Sequence, residues 1–186
     1  LEAETVRKAI AQADAAQEQF RQELFQAGKA VCEEVKRKGT YAVVLASRPY
    51  QNDALVNHDL PEMFTSLGIP VLTADSLREA PQVDLSMSRL DVVNNFHARM
   101  LSSAILAAQN DYLEYVQIVS FGCGHDAYLS DEIIRLMKEV SGKTPLMRAI
   151  FRDRCGSGCA LLWRRSPCAM NERSIWMCTV WPTHTR

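Results

Sequence analysis

The chain has 186 residues, enough for one domain with a sizeable core. Charged residues make up 23% and hydrophobic ones 47%, as in an ordinary globular protein, and the net charge of −1 argues against a nucleic acid or other polyanion as partner. No apolar run approaches the ~20 residues of a membrane-spanning helix, and no signal-peptide pattern opens the sequence, so a cytoplasmic location without a membrane partner is expected. Leu1 falls inside a helical pattern, so the chain is expected to be a piece of a longer polypeptide.

Residues 2–38, rich in Ala, Gln and Glu, predict one long helix. Val6, Ile10, Phe20, Leu24 and Val31 share a face, Gly28 is a weak point, and Cys32 reads as a small buried hydrophobe. Gly39 ends the helix after Lys36, Arg37 and Lys38. The apolar run 41–47 predicts a strand covered on both faces. A polar loop, Arg48 to Asp53, leads to an amphipathic stretch carrying Leu55, Leu60, Met63 and Phe64, with Pro61 in its first turn and Gly68 closing it.

Residues 69–73 predict a second strand, placed near a sheet edge by Pro70. After a polar, irregular stretch over 74–88, a helix is expected from Leu90 to Tyr115, striped by Phe96, Met100, Leu101, Ile105 and Leu106. Asn110 and Asp111 are a potential break in it, and His58 and His97 read as surface or packing residues. A third strand is expected over Val116 to Phe121. A turn follows, Gly122-Cys123-Gly124-His125-Asp126, and then a helix with Ser130 as N-cap, Asp131 and Glu132 in its first turn, and its end near Gly142.

Helices alternating with apolar strands imply an α/β fold. The expectation is a doubly wound three-layer sandwich on a short, mostly parallel sheet, Rossmann- or flavodoxin-like, preceded by a long N-terminal helix. In such sheets ligands sit beyond the carboxyl ends of the strands, at the switch point in strand order. A 2-1-3 order would bring Arg48, Tyr50, Asn52, Asp53, Cys123, His125 and Asp126 to one cleft. Gly122 and Gly124 let the backbone turn tightly and let a ligand approach the thiol.

Cys123 has three readings on local grounds. It precedes a helix, where a thiolate nucleophile is favoured, but no convincing base stands beside it. It is one cysteine, whereas an iron–sulfur cluster usually takes four thiolates. It is also readable as a buried thiol in a tight turn. Gly122-Cys123-Gly124 lacks the third glycine of a dinucleotide fingerprint, and no Walker loop is present.

Arg48-Pro49-Tyr50 with Asp53 and Asn57-His58, then Pro61 and Leu67-Gly68-Ile69-Pro70-Val71-Leu72, and later Ser120-Phe121-Gly122-Cys123-Gly124 with Asp126, form a recognisable set. They resemble the domain of unknown function (DUF2229) of large bacterial and archaeal CoA-substrate-specific enzyme activases, relatives of the 2-hydroxyacyl-CoA dehydratase system. The resemblance covers about residues 5–146 and departs at Ser47, where that family often has Gly.

In that family, ATPase domains of acetate-kinase/actin-like type drive a low-potential electron through [4Fe-4S] clusters to a dehydratase component, in anaerobic metabolism. The resemblance implies ATPase domains in the parent protein, dehydratase components and acyl-CoA as partners. It implies Cys123 as a [4Fe-4S] ligand, the other ligands coming from outside this chain. Arg48, Tyr50, Asp53, His125 and Asp126 are then the candidate catalytic residues, and Gly122 and Gly124 the candidate cofactor-binding ones. The alternative is a non-catalytic Rossmann-like interaction module of a multidomain activase.

Composition sets a boundary at residue 146. Residues 147–186 hold seven Arg, no Lys and two acids, all three Trp, and Cys155, Cys159, Cys168 and Cys178. The cysteine spacing is not one that zinc sites use. Excess Arg, Cys and Trp without Lys is what a GC-rich gene yields when read out of frame. The tail is therefore expected to be frameshifted and poorly ordered, and residues 1–146 to form the domain.

Overall fold

The structure is a computed structural model, and it describes residues 2–57, 59–92, 94–120, 124–152 and 159–164. Five strands form one sheet: β1 (Ala42–Ala46), β2 (Val71–Thr73), β3 (Leu113–Ser120), β4 (Met147–Arg152) and β5 (Cys159–Arg164). Their order is β2-β1-β3-β4-β5, with the first four parallel and β5 antiparallel to β4. The helices are α1 (Ala3–Lys38), α2 (Ala54–Asn57), α3 (Leu60–Ser66), α4 (Asn95–Gln109) and α5 (His125–Ser141). The expected architecture, a long helix before a doubly wound and mostly parallel sheet, is the one observed, and β2 lies at the edge as Pro70 required.

The topology dictates which face each helix covers. From β1 the chain steps outward to β2, then back across β1 to β3 and on to β4. Right-handed crossovers therefore put the first connection on one face and the next two on the other. Accordingly Leu60 and Phe64 of α3 pack against Val43, Leu45, Val116 and Ile118. On the opposite face α4 and α5 bury Met100, Leu101, Ala104, Leu129, Ile133 and Leu136 against Val44, Ala46, Leu113 and Tyr115. Tyr115 is fully buried, and its hydroxyl donates to the Met100 carbonyl at 3.1 Å.

Three local expectations need correction. The helix expected over 90–115 is shorter, because Asn94 caps α4 by accepting from His97 N at 2.9 Å. Its last expected turn belongs to β3, where Leu113 and Tyr115 fill the core by alternation. Ser130 is not an N-cap: α5 begins five residues earlier, and the Ser130 hydroxyl donates to the Asp126 carbonyl at 2.7 Å within the helix. Asp131 and Glu132 accordingly lie beyond the first turn.

The third correction concerns Gly28. It is no defect in α1 but a contact point, since a Cβ there would stand 2.4 Å from the Ser76 carbonyl oxygen. Close approach of two backbones explains a residue that is otherwise poor in a helix. Around it Val31, Cys32 and Val35 pack on the core. The preceding part of the stripe has no such cover: Val6, Ile10 and Phe20 are exposed.

Met147–Arg152, the start of the compositionally distinct segment, pairs with β3 as the next parallel strand. Residues 153–158 and 165–186 lie outside the described residues, and so does most of the segment that was expected to be poorly ordered.

Candidate functional site

The carboxyl ends of β1 and β3 meet at the switch point, and the loops beyond them interlock. Leaving β1, the chain folds into a tight turn over Pro49–Asn52. Gln51 N donates to the Arg48 carbonyl at 2.8 Å, and Arg48 N donates to Gln51 Oε1 at 2.8 Å. Buried Gln51 thus locks the turn, and Ser47 Oγ donates to Asn52 Oδ1 at 2.8 Å beside it.

From β3, Gly124 turns the chain into α5 with φ +60° and ψ −135°, a conformation that L side chains rarely adopt. The first turn of α5 then presents Asp126, which is buried. Arg48 Nη2 donates to Asp126 Oδ1 at 2.6 Å, joining residues 78 apart in sequence across the switch point. Burial disfavours the Arg48 charge, but Asp126 and then Tyr50 more than offset it, and the guanidinium pKa is raised.

A further side chain enters from α4. His97, the third residue of that helix and buried, has its ring centroid 5.7 Å from that of His125, with the planes tilted by 40°. Its Nδ1 lies 3.4 Å from Asn94 Nδ2. Burial, then His125 and Arg48, depress the His97 pKa below the ordinary imidazole value of 6.5.

A depressed histidine pKa means that the unfolded chain takes up the proton first. The stability His97 contributes is full above pH 6.5 and is lost as pH falls through its lower folded value. His97→Gln should therefore flatten the acid side of the stability curve below about pH 6.5. Urea midpoints measured across that range check it, and parallel curves for the two proteins would contradict it.

Of the expected site residues, Arg48, His125 and Asp126 come together as foreseen. Tyr50 is exposed at the rim, where it contributes to the field at Arg48. Asp53 has another occupation: its carboxylate accepts from Leu55 N at 2.9 Å and its carbonyl accepts from Val56 N and Asn57 N at 2.9 Å, so it caps α2. Gly122 and Cys123 lie outside the described residues. Cys32 is a half-buried free thiol whose pKa is raised chiefly by burial, in keeping with its reading as a small apolar residue.

Sequence reasoning missed His97. The available signal was Asn94, a strong N-cap residue three positions ahead of it, which places His97 in a first turn at the carboxyl edge of the sheet. It also missed Gln117, buried on β3 beside Ala46, whose Nε2 has no hydrogen-bond partner. Among the described residues no group of three or more His, Cys, Asp or Glu is placed to hold a metal ion. None of their helices is long and apolar enough to cross a membrane.

No curated protein and no solved structure matches the chain. A family match covers α1, β1, the Arg48 turn, α2, α3 and β2, and stops short of α4 and α5. Over residues 1–77 the chain matches the family described as CoA enzyme activase uncharacterised domain (DUF2229), as its sequence resemblance led one to expect.

Proposed function

We propose that this domain works within an ATP-dependent, iron–sulfur electron-transfer activase of the 2-hydroxyacyl-CoA dehydratase type, as a part that does not act alone. Its working face is the carboxyl edge of the sheet. The observation that carries this reading is the Arg48–Asp126 pair, which ties the turn matched by the activase family to the start of α5. Cys123, one residue before Gly124, is the candidate [4Fe-4S] ligand. The described residues do not make a cluster cage by themselves, so the remaining thiolates would have to come from outside this chain.

Iron and sulfide analysis of the full-length protein, purified without oxygen, tests the assignment. Cys123→Ser should lower the iron content or make the cluster labile. Full, stable iron loading in that variant would remove Cys123 from the ligand set.

A second reading, an interaction module that docks on ATPase domains or a dehydratase partner, is favoured by the exposed Val6, Ile10 and Phe20 of α1. It expects no iron at all, and a Cys123→Ser protein that still joins its complex.

A further inference from the structure

We propose that Arg48, His97 and His125 form a subsite for an oxyanion, a phosphate ester or a carboxylate, at the carboxyl edge of the sheet. The inference rests on the same face as the function above and names the ligand chemistry that face would take, independently of any metal.

Three cation-capable side chains from three separate elements converge there: the turn after β1, the start of α4 and the start of α5. Arg48 bonds Asp126, the residue after His125, and the rings of His97 and His125 lie 5.7 Å apart; donors gathered in this way suit one small anion. Asp126 takes only the Nη2 edge of Arg48 and holds the guanidinium in place, leaving further N–H groups of this five-donor fork for a ligand. His97 is engaged through its backbone N and Nδ1 by Asn94, and no hydrogen bond engages its Nε2 among the described residues.

A separate observation points the same way. Gln117 is 1% exposed and its Nε2 donor is unpartnered, although buried amides are rarely left so. It lies on the face of the sheet that carries Ala46, in register with it and two residues from Arg48. The first-turn N–H groups of α5, where Gly124 supplies no side-chain cap, add further donors and a favourable dipole.

Asp126 balances Arg48, so the ligand is held by the N–H donors of Arg48 and of the two imidazoles, gathered around a pair that is neutral in sum.

The test is a titration of the whole chain with inorganic phosphate and, separately, with sodium acetate at constant ionic strength, followed by the imidazole NMR signals. The signals of His97 and His125 should shift saturably as the anion is added. Tighter saturation by phosphate assigns a phosphate ester, and tighter saturation by acetate a carboxylate.

His125→Gln, at an exposed side chain, should weaken binding roughly tenfold, the value of one charge-assisted hydrogen bond, with the circular dichroism spectrum unchanged. Arg48→Gln should do at least as much. Shifts that never saturate, or affinities that His125→Gln leaves unchanged, would overturn the proposal. Because the readout needs no iron, failure here leaves the Cys123 assignment standing, and loss of that assignment leaves this subsite standing.

Discussion

Arg48→Met is expected to destabilise the fold by about 2–3 kcal/mol, because it takes the cation away from a buried carboxylate. Breaking a fully buried ion pair by removing one partner costs roughly 3–5 kcal/mol. Arg48 keeps about a third of its side chain in water while Asp126 is at 7%, so the figure is set below that range. The asymmetry of the pair makes a second expectation. Arg48→Met combined with Asp126→Leu should recover most of the loss, since a matched apolar pair leaves no orphaned charge. Urea denaturation of the wild type, both single variants and the double variant gives the coupling energy. A single-variant cost under about 0.5 kcal/mol would mean that the pair is screened like an ordinary surface bridge.

Leu136→Ala should cost about 2–5 kcal/mol, the usual range for emptying a leucine-sized space in a packed core. Leu136 is fully buried where α5 meets α4 and β3. Since whole domains are stable by only about 5–15 kcal/mol, the variant should show a markedly lower thermal midpoint. Ile10→Ala on the exposed part of α1 is the control and should stay within about 0.5 kcal/mol of wild type. Equal losses in the two variants would show that α1 is covered in solution along its whole length.

Much of this fold could be read from residues because its signals are local. The β1 run is apolar throughout since both its faces are buried, and Pro70 marked an edge because it cannot donate to a neighbouring strand. The switch-point cleft followed from strand order, and Arg48, His125 and Asp126 came with it. Where the reading slipped, two periodicities overlapped. Leu113 and Tyr115 continue the stripe of α4 as well as they begin the alternation of β3, and only the pairing with Ala42 and Val44 decides between them.

The start of α5 was hidden for a different reason. Its N-terminal position is held by Gly124, which carries no capping side chain, so Ser130 offered a stronger but false signal. His97 and Gln117 were illegible because what matters about them is non-local. A histidine on an amphipathic helix and a glutamine in a strand look like ordinary residues until the topology sets His97 against His125 and leaves Gln117 without a partner.

The contact between Gly28 and the Ser76 carbonyl has a mechanical consequence. Residues 3–27 of α1 run out ahead of it, an arm of about 37 Å at 1.5 Å per residue. Gly28 is then a fulcrum: a tilt of only about 10° there would swing the arm's tip by roughly 6 Å over that length. Whatever grips Val6 and Ile10 gains leverage over the segment Ala74–Ser76, whose middle residue is tied through the Asp75–Arg99 ion pair to the helix that carries His97. The molecule thus has a handle at one end and its basic cluster at the other, with the close backbone contact at Gly28 serving as the pivot between them.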